Sequence, residues 1–123
     1  MDRGRQEKRK YKRLPIELKV DVEEMFKQGN VVLKDVGASI YVYDISKSGI
    51  GFISDVSLPL GYYFKGLINL GDGDFFRVVM HIIRSSMSSE EDYYIYGAEF
   101  IGLAPFLEDK VDKYEKKLKK ENE

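Results

Sequence analysis

The chain has 123 residues, 43% of them apolar and 13% aromatic, which excludes wholesale disorder and suits one domain with a real core. It has no cysteine, which removes disulfides, thiolate metal sites and cysteine nucleophiles together. A net charge of −1 conceals an asymmetry: residues 1–13 carry seven Lys/Arg against two acids, and residues 14–107 carry seven basic against thirteen acidic side chains.

In chain order, residues 1–13 read as a flexible basic arm. Its sequence, "MDRGRQEKRKYKR", has no apolar core of the kind a secretory leader needs. No later stretch reaches 18 consecutive apolar residues, so no membrane insertion and a cytoplasmic location are expected. "LPIELKVDVEEMF" alternates, with Ile16, Leu18, Val20 and Val22 on one face, as a half-buried strand does. "VVLKDVGASIYVYD" extends the β pattern with a break at Gly37, and "IGFIS" follows the polar turn "DISKSG". "YYFKGLINL" and "FFRVVMHIIRSSM" flank "GDGD", a strong hairpin signal, and "YYIYGAEFIGL" is the last strand.

The period then changes. Leu103, Leu107, Val111, Tyr114 and Leu118 fall on one helical face, with Pro105 in the first turn. The reading is mainly β: a small six-stranded antiparallel barrel over 14–102, then a C-terminal helix over 103–123. The helical stripe serves either to cap the barrel or to bind a partner.

Catalysis finds little support. His81 is the single histidine, inside a strand, with no cysteine or second histidine to complete a triad or a metal site. "GDGD" lacks the further oxygen ligands of a calcium loop. No enzyme activity and no metal are therefore expected. The tyrosine clusters at 62–64 and 93–96 suit either barrel core or base stacking.

Two motifs are sharper. Arg9 and Arg13 stand four apart in the arm, with Arg5 one interval earlier, and each guanidinium is a planar fork suited to phosphate or a guanine edge. In the turn, Asp44 can accept from guanine N–H groups, Ser46 can donate and accept, and Gly49 lets backbone approach closely. Asp and Ser also close local turns without any ligand, and both readings stay open on these residues alone.

Taken together, R-x-x-x-R ahead of the first strand and D-x-S-x-x-G after a later one resemble the PilZ domain. "EKRKYKRLPIELKV", "DISKSGIGF" and "YGAEFIGL" are similar to successive blocks of that family, so the resemblance covers about residues 7–107. It implies a stand-alone bacterial receptor for the second messenger cyclic di-GMP. Arg9 and Arg13 would engage guanine and phosphate, Asp44 and Ser46 would hold a guanine edge, and Gly49 would keep the turn open. Lys8 stands where family members vary and leaves one or two ligands per chain open; Arg5 has at most an accessory role. The ordered arm would then signal to an unidentified effector protein, in a process such as motility or biofilm regulation. Two rivals remain: a PilZ-like protein-interaction module that does not bind the nucleotide, and a single-stranded nucleic-acid-binding barrel. The acidic body speaks against the latter, and no DNA partner is expected.

Overall fold

A computed structural model describes residues 12–27, 31–34, 37–87, 93–102 and 104–121. Among the described residues eight strands form: β1 (Leu14–Asp21), β2 (Glu24–Lys27), β3 (Val31–Lys34), β4 (Ser39–Ile45), β5 (Gly49–Ser54), β6 (Tyr63–Asn69), β7 (Phe75–Met87) and β8 (Tyr94–Ile101). A single helix among the described residues, α1 (Ala104–Glu121), follows them. The strands make one sheet in the order β1-β4-β5-β8-β7-β6-β2-β3, and its pairings are antiparallel.

The count of eight, against the six expected, has a local cause. β1 and β2 are one chain run divided at Val22 and Glu23, where the run leaves one edge of the sheet and joins the other. On one side Val22 N–H donates to the Ala38 carbonyl (3.0 Å), and on the other Glu23 N–H donates to the Lys65 carbonyl (2.9 Å). The chain itself thus carries the curled sheet around from β4 to β6, and β3 is an added hairpin partner of β2. Counted as one bent strand, β1/β2 with β3, β4, β5, β6, β7 and β8 gives seven, one more than the expected six.

Curling places one face inside. Phe52, Phe64, Ile40, Ile68, Met80 and Ile82 are fully buried there, and Phe52 stacks on Tyr96 (centroids 5.2 Å) while meeting Phe64 edge-on. Tyr96 therefore belongs to the core. Its hydroxyl donates to the Leu58 carbonyl (3.2 Å) and accepts from Leu58 N–H (2.6 Å), so its polar end costs nothing on burial. Tyr63, from the other cluster, lies on the outer face between Phe26 and His81, stacked on each.

The helix caps the barrel. Leu107 and Val111 are buried, and Tyr114 and Leu118 pack against the same core; Leu103 lies outside the described residues. Polar contacts fix its position on both flanks. Tyr114 O–H donates to the Pro15 carbonyl (2.6 Å), and Lys110, Lys113 and Lys117 reach Asp74 and Asp72 in the β6–β7 turn. In that turn Gly71, Asp72 and Gly73 all have positive φ, which is why the sequence there is glycine on either side of an aspartate. No helix among the described residues is long and apolar enough to cross a membrane.

Candidate functional site

The turn between β4 and β5 is built from its own side chains. Ser46 N–H donates to the Gly49 carbonyl (2.9 Å), closing the hairpin. The Ser46 hydroxyl, 5% exposed, accepts from Ser48 N–H (3.1 Å) and Gly49 N–H (3.3 Å). Its structural work is thus the local turn closure that Ser favours anyway.

Asp44 divides its oxygens. Oδ1 accepts from Gly51 N–H (2.8 Å), across a bulge where Tyr43 is the extra residue of β4. Oδ2 faces Arg13 Nη1 at 3.4 Å, a long ion pair between mostly covered groups. The arm's second motif arginine and the turn's acid, 31 residues apart, are therefore neighbours. Arg9, Arg5 and Lys8 lie outside the described residues.

Gly49 is not held by a positive φ. A Cβ there would strike the Ala98 carbonyl oxygen and stand 2.9 Å from Glu99 Cα, so the residue must be glycine because β8 passes so close. Phe100 N–H also donates to the Ser48 carbonyl (2.8 Å), tying the turn to β8. Lys47, between the motif residues, points instead to the helix and pairs with Asp112 (3.0 Å), which raises its ammonium above the ordinary lysine value. Lys12 pairs with Glu115 of the same helix (3.5 Å).

Sequence reasoning passed over two residues beside this cluster. Tyr43, exposed on the bulge, has its phenol pushed up by burial and by the Asp44 charge, against the pull of Arg13 and Arg84. Arg84, on β7, thus shares the field of the site although it lies 40 positions from Asp44. A bulge at Ile83 sets it opposite Gly97, in the transverse row Asp44–Gly51–Gly97–Arg84 across four strands. A bulge is invisible to a periodicity count, so no linear signal would have found Arg84. Among the described residues no group of His, Cys, Asp and Glu is arranged to hold a metal ion.

The family model of the PilZ domain matches residues 7–114. No curated protein matches the chain at a significant level. Among solved structures, Escherichia coli YcgR in complex with c-di-GMP superposes with a TM-score of 0.67 at 19% identity, covering 94% of this chain and 47% of that one. The isolated PilZ domain of the same protein with c-di-GMP gives 0.60 at 16% identity, covering 94% and 97%. The Bacillus subtilis inhibitor of motility MotI/DgrA gives 0.65 at 14%, covering 94% and 54%. The chain spans about half the length of the two longer proteins and nearly all of the isolated domain. At these identities the likeness is one of fold.

Proposed function

Because the chain belongs to the PilZ domain family, we propose that it is a receptor for cyclic di-GMP that acts by binding rather than catalysis. One observation carries the reading: Arg13 of the R-x-x-x-R motif stands 3.4 Å from Asp44 of D-x-S-x-x-G, so the two motifs converge on one place. The pair is long for an ion pair, which suits a contact that a ligand replaces. Arg13, with Arg9 of the arm, takes phosphate and guanine; Asp44 takes a guanine N–H edge with the help of Ser46; and Gly49 holds the turn against β8. Arg5 and Lys8 are accessory cations, and the number of ligands per chain follows from the titration below.

The solved structures of YcgR contain c-di-GMP, which agrees with this assignment, and MotI/DgrA is named an inhibitor of motility. On this reading the protein works in the bacterial cytoplasm. Ligand fixes the basic arm across the turn, and the ordered arm presents a surface to an effector protein in motility or biofilm control. Ordering five arm residues costs on the order of 5–10 kcal/mol, against roughly 1.5–3 kcal/mol for each charge-assisted hydrogen bond gained. The balance makes arm ordering sensitive to the loss of any single contact.

A ligand-free interaction module is the second reading. It is favoured by the Ser46 hydroxyl, which already has backbone partners. Calorimetric titration with cyclic di-GMP separates the two. Saturable binding, weakened at least tenfold, about 1.4 kcal/mol, by Arg13→Ala and by Asp44→Ala, supports the receptor. Absence of binding by the unaltered protein favours the module.

A further inference from the structure

Alternation along β6 and β7 turns every second side chain out of the barrel. Phe64, Ile68, Phe76, Val78 and Met80 fill the inner face of the two strands, so polar residues are expected at the positions between them. Several are apolar instead. Leu67 is 37% exposed and Phe75 56%, and Ile101, at the end of β8, is 40% exposed. Register joins these positions. Val79 stands opposite Ile101 on one side and Lys65 on the other, and Leu67 stands opposite Arg77, diagonal to both Phe75 and Val79. Tyr63 is opposite Phe26 and stacks on it. Phe26, Tyr63, Leu67, Phe75, Val79 and Ile101 thus make one apolar surface across β2, β6, β7 and β8, and none of the six is a member of the buried core.

The charges around this surface say what can cover it. Residues 14–107 carry seven basic against thirteen acidic side chains, so two such bodies repel over most of their area. On the patch they do not. Arg77 donates to Glu23 through Nε (2.9 Å) and Nη2 (3.0 Å), and Lys65 stands 4.0 Å from Glu24. Both cations set among the apolar side chains therefore bring their counter-charge with them. A foreign partner steered by charge finds no net field here. An identical face turned by a twofold axis brings the same two pairs, and each carboxylate can then serve the cation of the other copy as well as its own. Glu99, beside His81 (3.4 Å), bounds the patch on the side of the motif turn, so the surface is distinct from the candidate ligand site.

Size sets the strength of such a contact. The patch is four strands wide and runs along β7 from Phe75 to the level of Tyr63, which at about 4.8 Å between strands and about 3.4 Å per residue is roughly 15 by 20 Å. A standard interface takes about 800 Å² from each partner. The apolar area is thus enough for the centre of an interface, with the paired charges as its rim, and the association it supports is weak. We propose that this face is where two copies of the chain meet, sheet against sheet, as a reversible homodimer. The inference goes beyond the receptor reading and stands without it.

The test is sedimentation of the full chain without ligand, at concentrations from about 10 μM to about 1 mM. The average mass should climb from one chain towards two across that range. Phe75→Glu and Leu67→Lys each place like charges on both copies of the face and should weaken association at least about tenfold. Leu60→Glu puts a charge at a comparably exposed apolar position (57%) in the β5–β6 loop and should leave association unchanged. Thermal melts identify a variant that fails to fold, and Leu67→Lys, which keeps a long aliphatic stem, is the milder of the two patch changes. A chain that stays monomeric at the highest concentration overturns the proposal and leaves the face to a partner of another kind. A dimer that Phe75→Glu and Leu67→Lys leave intact, or that Leu60→Glu breaks as readily, is held elsewhere and overturns it as well.

Discussion

Ser46 shows how a motif residue can be a structural part first. Its hydroxyl accepts two backbone N–H groups inside the β4–β5 turn. Ser46→Ala leaves both donors short of a partner and is expected to cost about 1–2 kcal/mol of stability in chemical denaturation, whether or not ligand is present. Gly49→Ala presses a methyl group into the Ala98 carbonyl, and the overpacking costs on the order of 1–3 kcal/mol in the same assay. The Asp44 and Ser46 positions were legible because acid, hydroxyl and glycine at fixed steps make a recognisable turn. The partners of that turn were not. That Asp44 serves Gly51 and Arg13 at once, and that β8 demands Gly49, depends on cross-strand register, which a linear pattern does not encode.

At the scale of elements, the helix was the most legible part, since spacings of three and four residues fix a face without knowledge of what it meets. Its buried members Leu107 and Val111 show that it meets the barrel. Leu107→Ala is expected to cost about 2–5 kcal/mol and to make α1 the first segment cut in limited proteolysis. Charge latches the helix as well. Burial pushes the Asp74 carboxyl up, but the hydrogen bond from Lys110 and the charges of Lys113 and Lys110 outweigh this and leave it below its ordinary value of 3.8. A carboxyl lowered in the folded state stabilises that state above its ordinary value and loses the contribution as pH falls through the lowered one. Protection of the α1 amides, relative to their intrinsic exchange rates, should therefore fall below about pH 4, and Asp74→Asn should remove part of that acid dependence. The strand count was less legible because alternation runs unbroken through Val20 and Val22. Nothing in the pattern marks Val22–Glu23 as the point where the chain changes sheet edges.

Across the whole molecule, the unequal charge of arm and body was plain in the sequence. The way the body brings distant parts together was not. Arg13, Asp44 and Arg84 reach one area because the curled sheet sets β4, β5, β8 and β7 side by side. A ligand seated there binds only the folded chain. Cyclic di-GMP at a hundred times its dissociation constant should add about 2.7 kcal/mol to stability. A rise in melting temperature for the unaltered chain, and a much smaller rise for Asp44→Ala at the same ligand concentration, would follow.

The contact of Gly49 with β8 bears on how such chains change over descent. Arg13 meets Asp44 only through a long pair, and a lineage released from ligand recognition could shed the arginine at little structural penalty, whereas Asp44 also accepts from Gly51 N–H in the bulge. Gly49 would stay under selection all the same, because the Ala98 carbonyl occupies the space a side chain would need. Among descendants that no longer sense the nucleotide, the glycine should therefore outlast the arginine, and its presence alone says nothing about whether a relative still listens.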